Sequence, residues 1–168
     1  MKAENLVAEL RSIEAFFNTS TSCLTEADSD FAPVEGTWTV AQQVAHAART
    51  IDWFVEGTFR PEGFDMDFDR HVAESSRVHS LQAARAWLGA AFARAREAFG
   101  TKPAEELSQP LPEGPVMGGV PRWSVVSAIS DHTAHHRGAL TVYSRLLGKV
   151  PESPYAEEPA AVTADVMG

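Results

Sequence analysis

The chain has 168 residues, 44% hydrophobic and 22% charged, with 14 lysines and arginines against 23 acids and a formal net charge of −9. Length and composition suit one globular domain over 1–168 with a real core, and the acidic balance argues against a nucleic-acid partner, which needs a basic patch. No apolar run approaches the ~20 residues of a membrane span, so no membrane partner is expected either.

The N-terminus, MKAENLVAELR, carries Glu4 and Glu9 and no uninterrupted apolar run, so no secretory leader is expected. A single cysteine, Cys23, excludes an internal disulfide and fits a reducing, cytoplasmic setting. A first helix is expected from Leu6, Leu10, Ile13, Phe17 and Leu24, spaced at threes, fours and one seven, with Cys23 as a small core filler.

A second helix opens at TWTVAQQ, where Thr39 followed by Gln42 reads as a capping box. Its apolar stripe is Val40, Val44, Ala47, Ile51 and Phe54. The acidic stretch RPEGFDMDFDRHVAES that follows shows no periodicity and is expected as a loop. A third helix starts at the cap Ser80, runs through Leu81, Ala84, Leu88, Ala91, Ala95 and Phe99, and stops at Gly100. After TKPAEELSQPLPEGPVMGGVPR, rich in Pro and Gly, a fourth helix opens near Trp123–Ser124. It carries Val125, Ile129, His132, His136, Leu140, Tyr143 and Leu147, and Gly148 and Pro151 end it. The tail, 151–168, has little helical pattern and is expected to drape or fray.

No alternating β-branched run bounded by turn pairs suggests a strand. The expected fold is all-α: a single-domain four-helix bundle with long connections between helices 2 and 3 and between helices 3 and 4. Both connections exceed the usual two to eight residues, and such loops often cover a site.

His132 and His136 occupy the apolar stripe of the fourth helix itself. Residues four apart share a face with Cβ atoms roughly 5–6 Å apart, so two imidazoles there can converge on one ion at about 2.0–2.1 Å for zinc. The alternative is a pair of core histidines bonded to backbone or water; leaving each unpartnered would cost on the order of 1–3 kcal/mol. Two ligands hold a divalent ion poorly, so a third must come from elsewhere. His135 lies about 100° round the helix from His136, and periodicity leaves His46, His71 and His79 all open as the third. A zincin needs Glu after its first helical His, where this chain has Thr133. A di-iron bundle needs Glu three residues before a His, and none of the six histidines has one.

WTVAQQVAH, followed far downstream by DHTAHHRGAL and LLG, resembles the DinB/YfiT-like superfamily of bacterial metal-binding bundles, over nearly the whole chain. The resemblance implies a divalent ion, nickel or zinc, held by His46, His132 and His136, and often a homodimer. It also implies a small-molecule substrate. Characterised relatives include S-transferases that use a low-molecular-weight thiol, a mycothiol-dependent maleylpyruvate isomerase and metal-dependent hydrolases. The reading adopted is a thiol-dependent S-transferase acting on small electrophiles, with a hydrolase or a non-catalytic, dimeric stress protein as alternatives. No residue is singled out as catalytic beyond the ligands. Trp53 and Tyr143, each seven residues after a candidate ligand, return to its face as pocket or core aromatics; Asp131 and Arg137 are candidate supports.

Overall fold

In a computed structural model, residues 1–155 are described. Six α-helices follow in chain order: α1 (Ala3–Thr21), α2 (Val40–Phe59), α3 (Phe68–Ser76), α4 (Leu81–Gly100), α5 (Ala104–Leu107) and α6 (Val125–Leu146). Among the described residues there is no strand, only an isolated antiparallel bridge between Pro110 and Pro121. No described helix is long and apolar enough to cross a membrane.

The four long helices, α1, α2, α4 and α6, form the expected bundle. α2 packs on α4 and α6, and α1 packs on the same two. The order around the bundle is therefore α1, α4, α2, α6, with α1 diagonal to α2 and α4 diagonal to α6. A chain that crosses a diagonal needs length, which accounts for the long α4–α6 connection. The stripes read from the sequence face inward: Leu10, Phe17, Val44, Leu88, Phe99 and Leu140 are at most 1% exposed. Each such side chain contributes roughly 1.5–3 kcal/mol relative to exposure.

The expected start and stop signals operate where they were placed, with some exceptions. Thr39 Oγ1 accepts from the Gln42 N–H at 3.3 Å, and Gln42 Oε1 accepts from the Thr39 N–H at 3.0 Å. Ser80 Oγ accepts from the Ala83 N–H at 3.1 Å. Gly148 takes φ 74°, its N–H donating to Arg145 O while the Lys149 N–H donates to Ser144 O. That pair closes α6 with left-handed backbone that glycine adopts without strain. By contrast, Gly100 is the last helical residue of α4, and Thr101 after it stays right-handed.

Two local expectations are corrected. α1 ends at Thr21, so Leu24 reaches the core from the following segment and Cys23 lies half-buried beyond the helix. The fourth helix opens where expected, a 3-10 turn, Arg122–Ser124, running straight into α6. The acidic 60–75 stretch is not all loop; Asp67 Oδ1 accepts from the Arg70 N–H at 3.1 Å and starts α3.

α3 is held to α2 from its side. Arg49 Nε donates to Glu74 Oε2 at 2.6 Å, and Gln42 Nε2 donates to Ser76 O at 2.9 Å. Just before α3, Trp53 Nε1 donates to Asp65 O at 2.6 Å. Of the C-terminal tail, Tyr155 packs edge-on against Phe16 at 5.3 Å. The fraying expected beyond it falls on 156–168, outside the described residues.

Candidate metal centre

α2 and α6 are neighbours in the bundle, and the faces they turn to each other carry histidine. His46 comes from the second turn of α2; His132 and His136 come from the middle of α6. One ring nitrogen from each lies within 4.8 Å of the other two. The ring centroids are 4.5 Å apart for His132–His136, 4.8 Å for His46–His136 and 5.1 Å for His46–His132. Among the described residues no cysteine or carboxylate joins this group.

Burial sets the charge state. Desolvation, reinforced by neighbouring imidazoles, lowers His46 from 6.5 to about 4, and His136 to about 3. Desolvation and His135 lower His132 to about 4, against a small opposing pull from Asp131. All three rings are therefore neutral near pH 7, the form that binds metal.

One ring is oriented by a relay. His136 Nδ1 lies 2.6 Å from Gln43 Oε1, Gln43 Nε2 donates to Tyr143 Oη at 3.2 Å, and Tyr143 Oη donates to Trp38 O at 3.1 Å. Every donor in that chain points the same way, so Nδ1 of His136 carries the proton and Nε2 keeps its lone pair. That Nε2 lies 3.3 Å from Nε2 of His132. Two bare lone pairs at that distance repel unless a proton or cation lies between them. Nδ1 of His46 and Nδ1 of His132 are buried without hydrogen-bond partners. A divalent ion of the nickel or zinc kind fits this all-imidazole donor set.

Trp38, just before α2, covers the cluster: its ring centroid is 4.1 Å from that of His46 and 6.2 Å from that of His136. On another side His46 and His132 form part of the wall of a half-open pocket of about 260 Å³. Trp53, Phe54, Phe68 and Val72 give that pocket a mostly apolar lining, and Arg49, Thr50 and His71 complete it.

The sequence profile of the DinB superfamily matches residues 10–140. The chain belongs to the DinB superfamily. A DinB-like protein from Bacillus cereus has a similar structure, with a TM-score of 0.70 at 17% identity over 92% of this chain and 97% of that one. YfiT from Bacillus subtilis, described as a probable metal-dependent hydrolase with an unusual four-helix bundle topology, gives 0.64 at 18% identity over 88% of both chains. A mycothiol-dependent maleylpyruvate isomerase gives 0.63 at 18% identity, over 83% of this chain and 61% of the isomerase. No curated protein sequence matches significantly.

In this DinB chain the other histidines fall elsewhere. His71 is on α3, 6% exposed, in the pocket wall but outside the three-ring group. His79 is exposed, 3.9 Å from Asp30. His135 is exposed and meets His136 edge-on at 5.0 Å between centroids. Trp53 lines the pocket and Tyr143 anchors the relay. Asp131 is exposed. Arg137 points to the α1 side of α6, its guanidinium 5.7 Å from the rings of Phe16 and Tyr155.

Two residues of the centre, Trp38 and Gln43, escaped the sequence reading. Gln43 stands three residues before His46, and a glutamine one turn from a buried histidine was an available signal. Trp38 lies outside the helical pattern, and nothing in the spacing marks it.

Proposed function

We propose that this DinB chain is a metal-dependent enzyme in which His46, His132 and His136 hold a divalent ion, nickel or zinc, and that it joins a low-molecular-weight thiol to a small electrophile. The observation that carries the reading is a group of three neutral imidazoles beside an apolar pocket, with His46 and His132 in its wall. A structural ion wants a fourth protein ligand, and the described residues offer only three here.

A bound divalent ion would supply Lewis acidity, lowering the pKa of a thiol from its usual ~8.5 so that it is ionised near neutral pH. Ionisation alone gives at most about thirty-fold at pH 7, so the remaining rate must come from placing thiol and electrophile together. The protein's own contribution is that placement. Gln43 fixes the ring of His136 and keeps its Nε2 unprotonated. Trp38 excludes water from one side of the cluster, and the pocket beside Trp53 and Phe54 shelters the electrophile.

The likeness to a mycothiol-dependent isomerase favours thiol chemistry, and the likeness to YfiT favours hydrolysis as the second reading. A homodimer in the cytoplasm is part of the proposal. The deciding experiment screens thiols against small electrophiles before and after chelation. The proposal expects transfer that vanishes with the metal and returns when nickel or zinc is restored. Ester or amide cleavage without thiol would establish the hydrolase instead. Stoichiometric metal with no turnover of any pair would leave a non-catalytic metal protein.

A further inference from the structure

The pocket beside the three histidines holds more information than the metal centre needs. Its volume is about 260 Å³. A cavity near 150 Å³ lined by aliphatic and aromatic side chains holds benzene, so one substituted ring fits here. Aromatic groups supply much of the wall. The Trp53 ring lies 5.1 Å from Phe54, 4.8 Å from Phe64 and 5.8 Å from Phe68, all at tilted angles. Such tilted clusters offer faces and edges to a further ring.

Charge in the wall is already matched. The buried guanidinium of Arg49 is taken by Glu74 at 2.6 Å and lies 3.6 Å from Glu56. The furrow on the far side of Arg49 carries three arginines (49, 60 and 70) and four carboxylates (52, 56, 65 and 74). A carboxylate guest would have to displace an existing partner, Asp52 being matched as well by Arg94 at 2.8 Å. An uncharged guest meets no such barrier.

One polar side chain in the wall has an unpaired nitrogen. His71, 6% exposed, has Nε2 3.4 Å from Asp65 O and 3.8 Å from Asp65 Oδ2. Its Nδ1 is buried with no hydrogen-bond partner. Leaving such an atom unpaired is costly, so a guest that satisfies it is favoured over one that does not. Trp53 and His71 are tied to the same residue, because Asp65 O also accepts from Trp53 Nε1. The aromatic wall and the imidazole with the unpaired nitrogen are thus held in one frame.

We infer that this pocket takes a small, uncharged aromatic molecule carrying one hydrogen-bonding substituent, with His71 reading that substituent and Trp53 the ring. This rests on the proposed function only in naming the guest as the electrophilic substrate; the binding site stands on the pocket itself.

The test is binding without chemistry. The full chain, freed of metal by chelation and with no thiol, is titrated with phenol, toluene and benzoate. The indole Nε1–H signal of Trp53, assigned with Trp53→Phe, reports occupancy. Phenol and toluene have nearly the same shape, and a hydroxyl can donate or accept. Phenol is expected to bind five- to ten-fold more tightly than toluene, and benzoate more weakly than either. In His71→Leu the phenol-to-toluene ratio should fall to about one while toluene binding stays within two-fold. His71→Gln, which keeps a polar group, should retain part of the preference and guards against a folding defect. A phenol preference that survives His71→Leu, equal binding of benzoate, or no binding of any probe overturns the inference. No thiol, turnover or bound ion is required, so its failure is separable from failure of the transferase reading.

Discussion

The imidazole of His136 and the side-chain amide of Gln43, ninety-three residues apart in sequence, meet at 2.6 Å across the α2–α6 interface. The contact does two things at once. It settles which nitrogen of His136 carries a proton, and it locks the ring through Tyr143 to the backbone of Trp38. The same tryptophan ring covers His46. One relay therefore joins the orientation of a ring on α6 to the shielding of a ring on α2.

Replacing Gln43 with Leu keeps the volume and removes the acceptor. Loss of an outer hydrogen bond to a metal-binding histidine typically costs 10–100-fold in affinity, and a fall of that size is expected for zinc measured by chelator competition. Helix content by circular dichroism should stay near that of the parent, because Gln43 is not part of the apolar core. Unchanged affinity would show that the relay does not tune the site.

His132→Ala is expected to lose most bound metal while remaining helical. The residue sits mid-helix, where alanine is a better helix former than histidine, and His132 is not fully buried. Metal stoichiometry by elemental analysis checks this. A full equivalent retained by the variant would remove His132 from the ligand set.

Legibility in the sequence followed the range of the interactions concerned. The long helices and the caps at Thr39 and Ser80 are local, set within one turn, and the stripes that mark the core repeat at helical period. α3 was missed because nine residues hold too few turns for a stripe, and what holds it is tertiary: Arg49 to Glu74 and Gln42 to Ser76. Spacing likewise paired His132 with His136 but left His46, His71 and His79 equal, since which of them meets α6 depends on how helices pack. The family likeness pointed to His46, and the structure brings that ring to the pair. Gln43 and Trp38 stayed hidden for the same reason, their roles being defined by partners on α6.

Gly57 has a packing role that a substitution exposes. A methyl group built there would overlap Cδ1 of Phe64 and stand 2.7 Å from its Cγ. The Phe64 ring is braced by Trp53 and Phe54 and cannot turn away freely. Gly57→Ala is therefore expected to destabilise, although alanine normally favours a helix by about 1 kcal/mol. Overpacking of this kind costs typically 1–3 kcal/mol, which should outweigh the helical gain. A urea midpoint at or above that of the parent would show that Phe64 moves aside without strain, and the aromatic wall would then be softer than its contacts imply.

Acid should weaken the metal-free protein well before its carboxylates titrate. In the folded chain desolvation, chiefly, lowers His46 and His132 to about 4 and His136 to about 3, all from 6.5. Between pH 6.5 and about 4 the unfolded chain therefore binds protons that the folded chain refuses. Unfolding takes up protons there, so stability falls as pH is lowered through that window and is insensitive to these groups above pH 7. Ordinary carboxylates titrate near 4, and Asp28 and Asp65 lie lower still: at Asp28 hydrogen bonds from Lys149 and Thr25 outweigh burial, and Asp65 accepts from the backbone of Asp67 beside Arg70. The change from pH 7 to pH 5 thus reports the histidines. Urea midpoints of chelated protein should drop across that interval, and His136→Leu should flatten the slope because it removes the most strongly shifted ring. An equally steep slope in His136→Leu would mean that this ring does not resist protonation in the fold, and the neutral cluster would lose its main support.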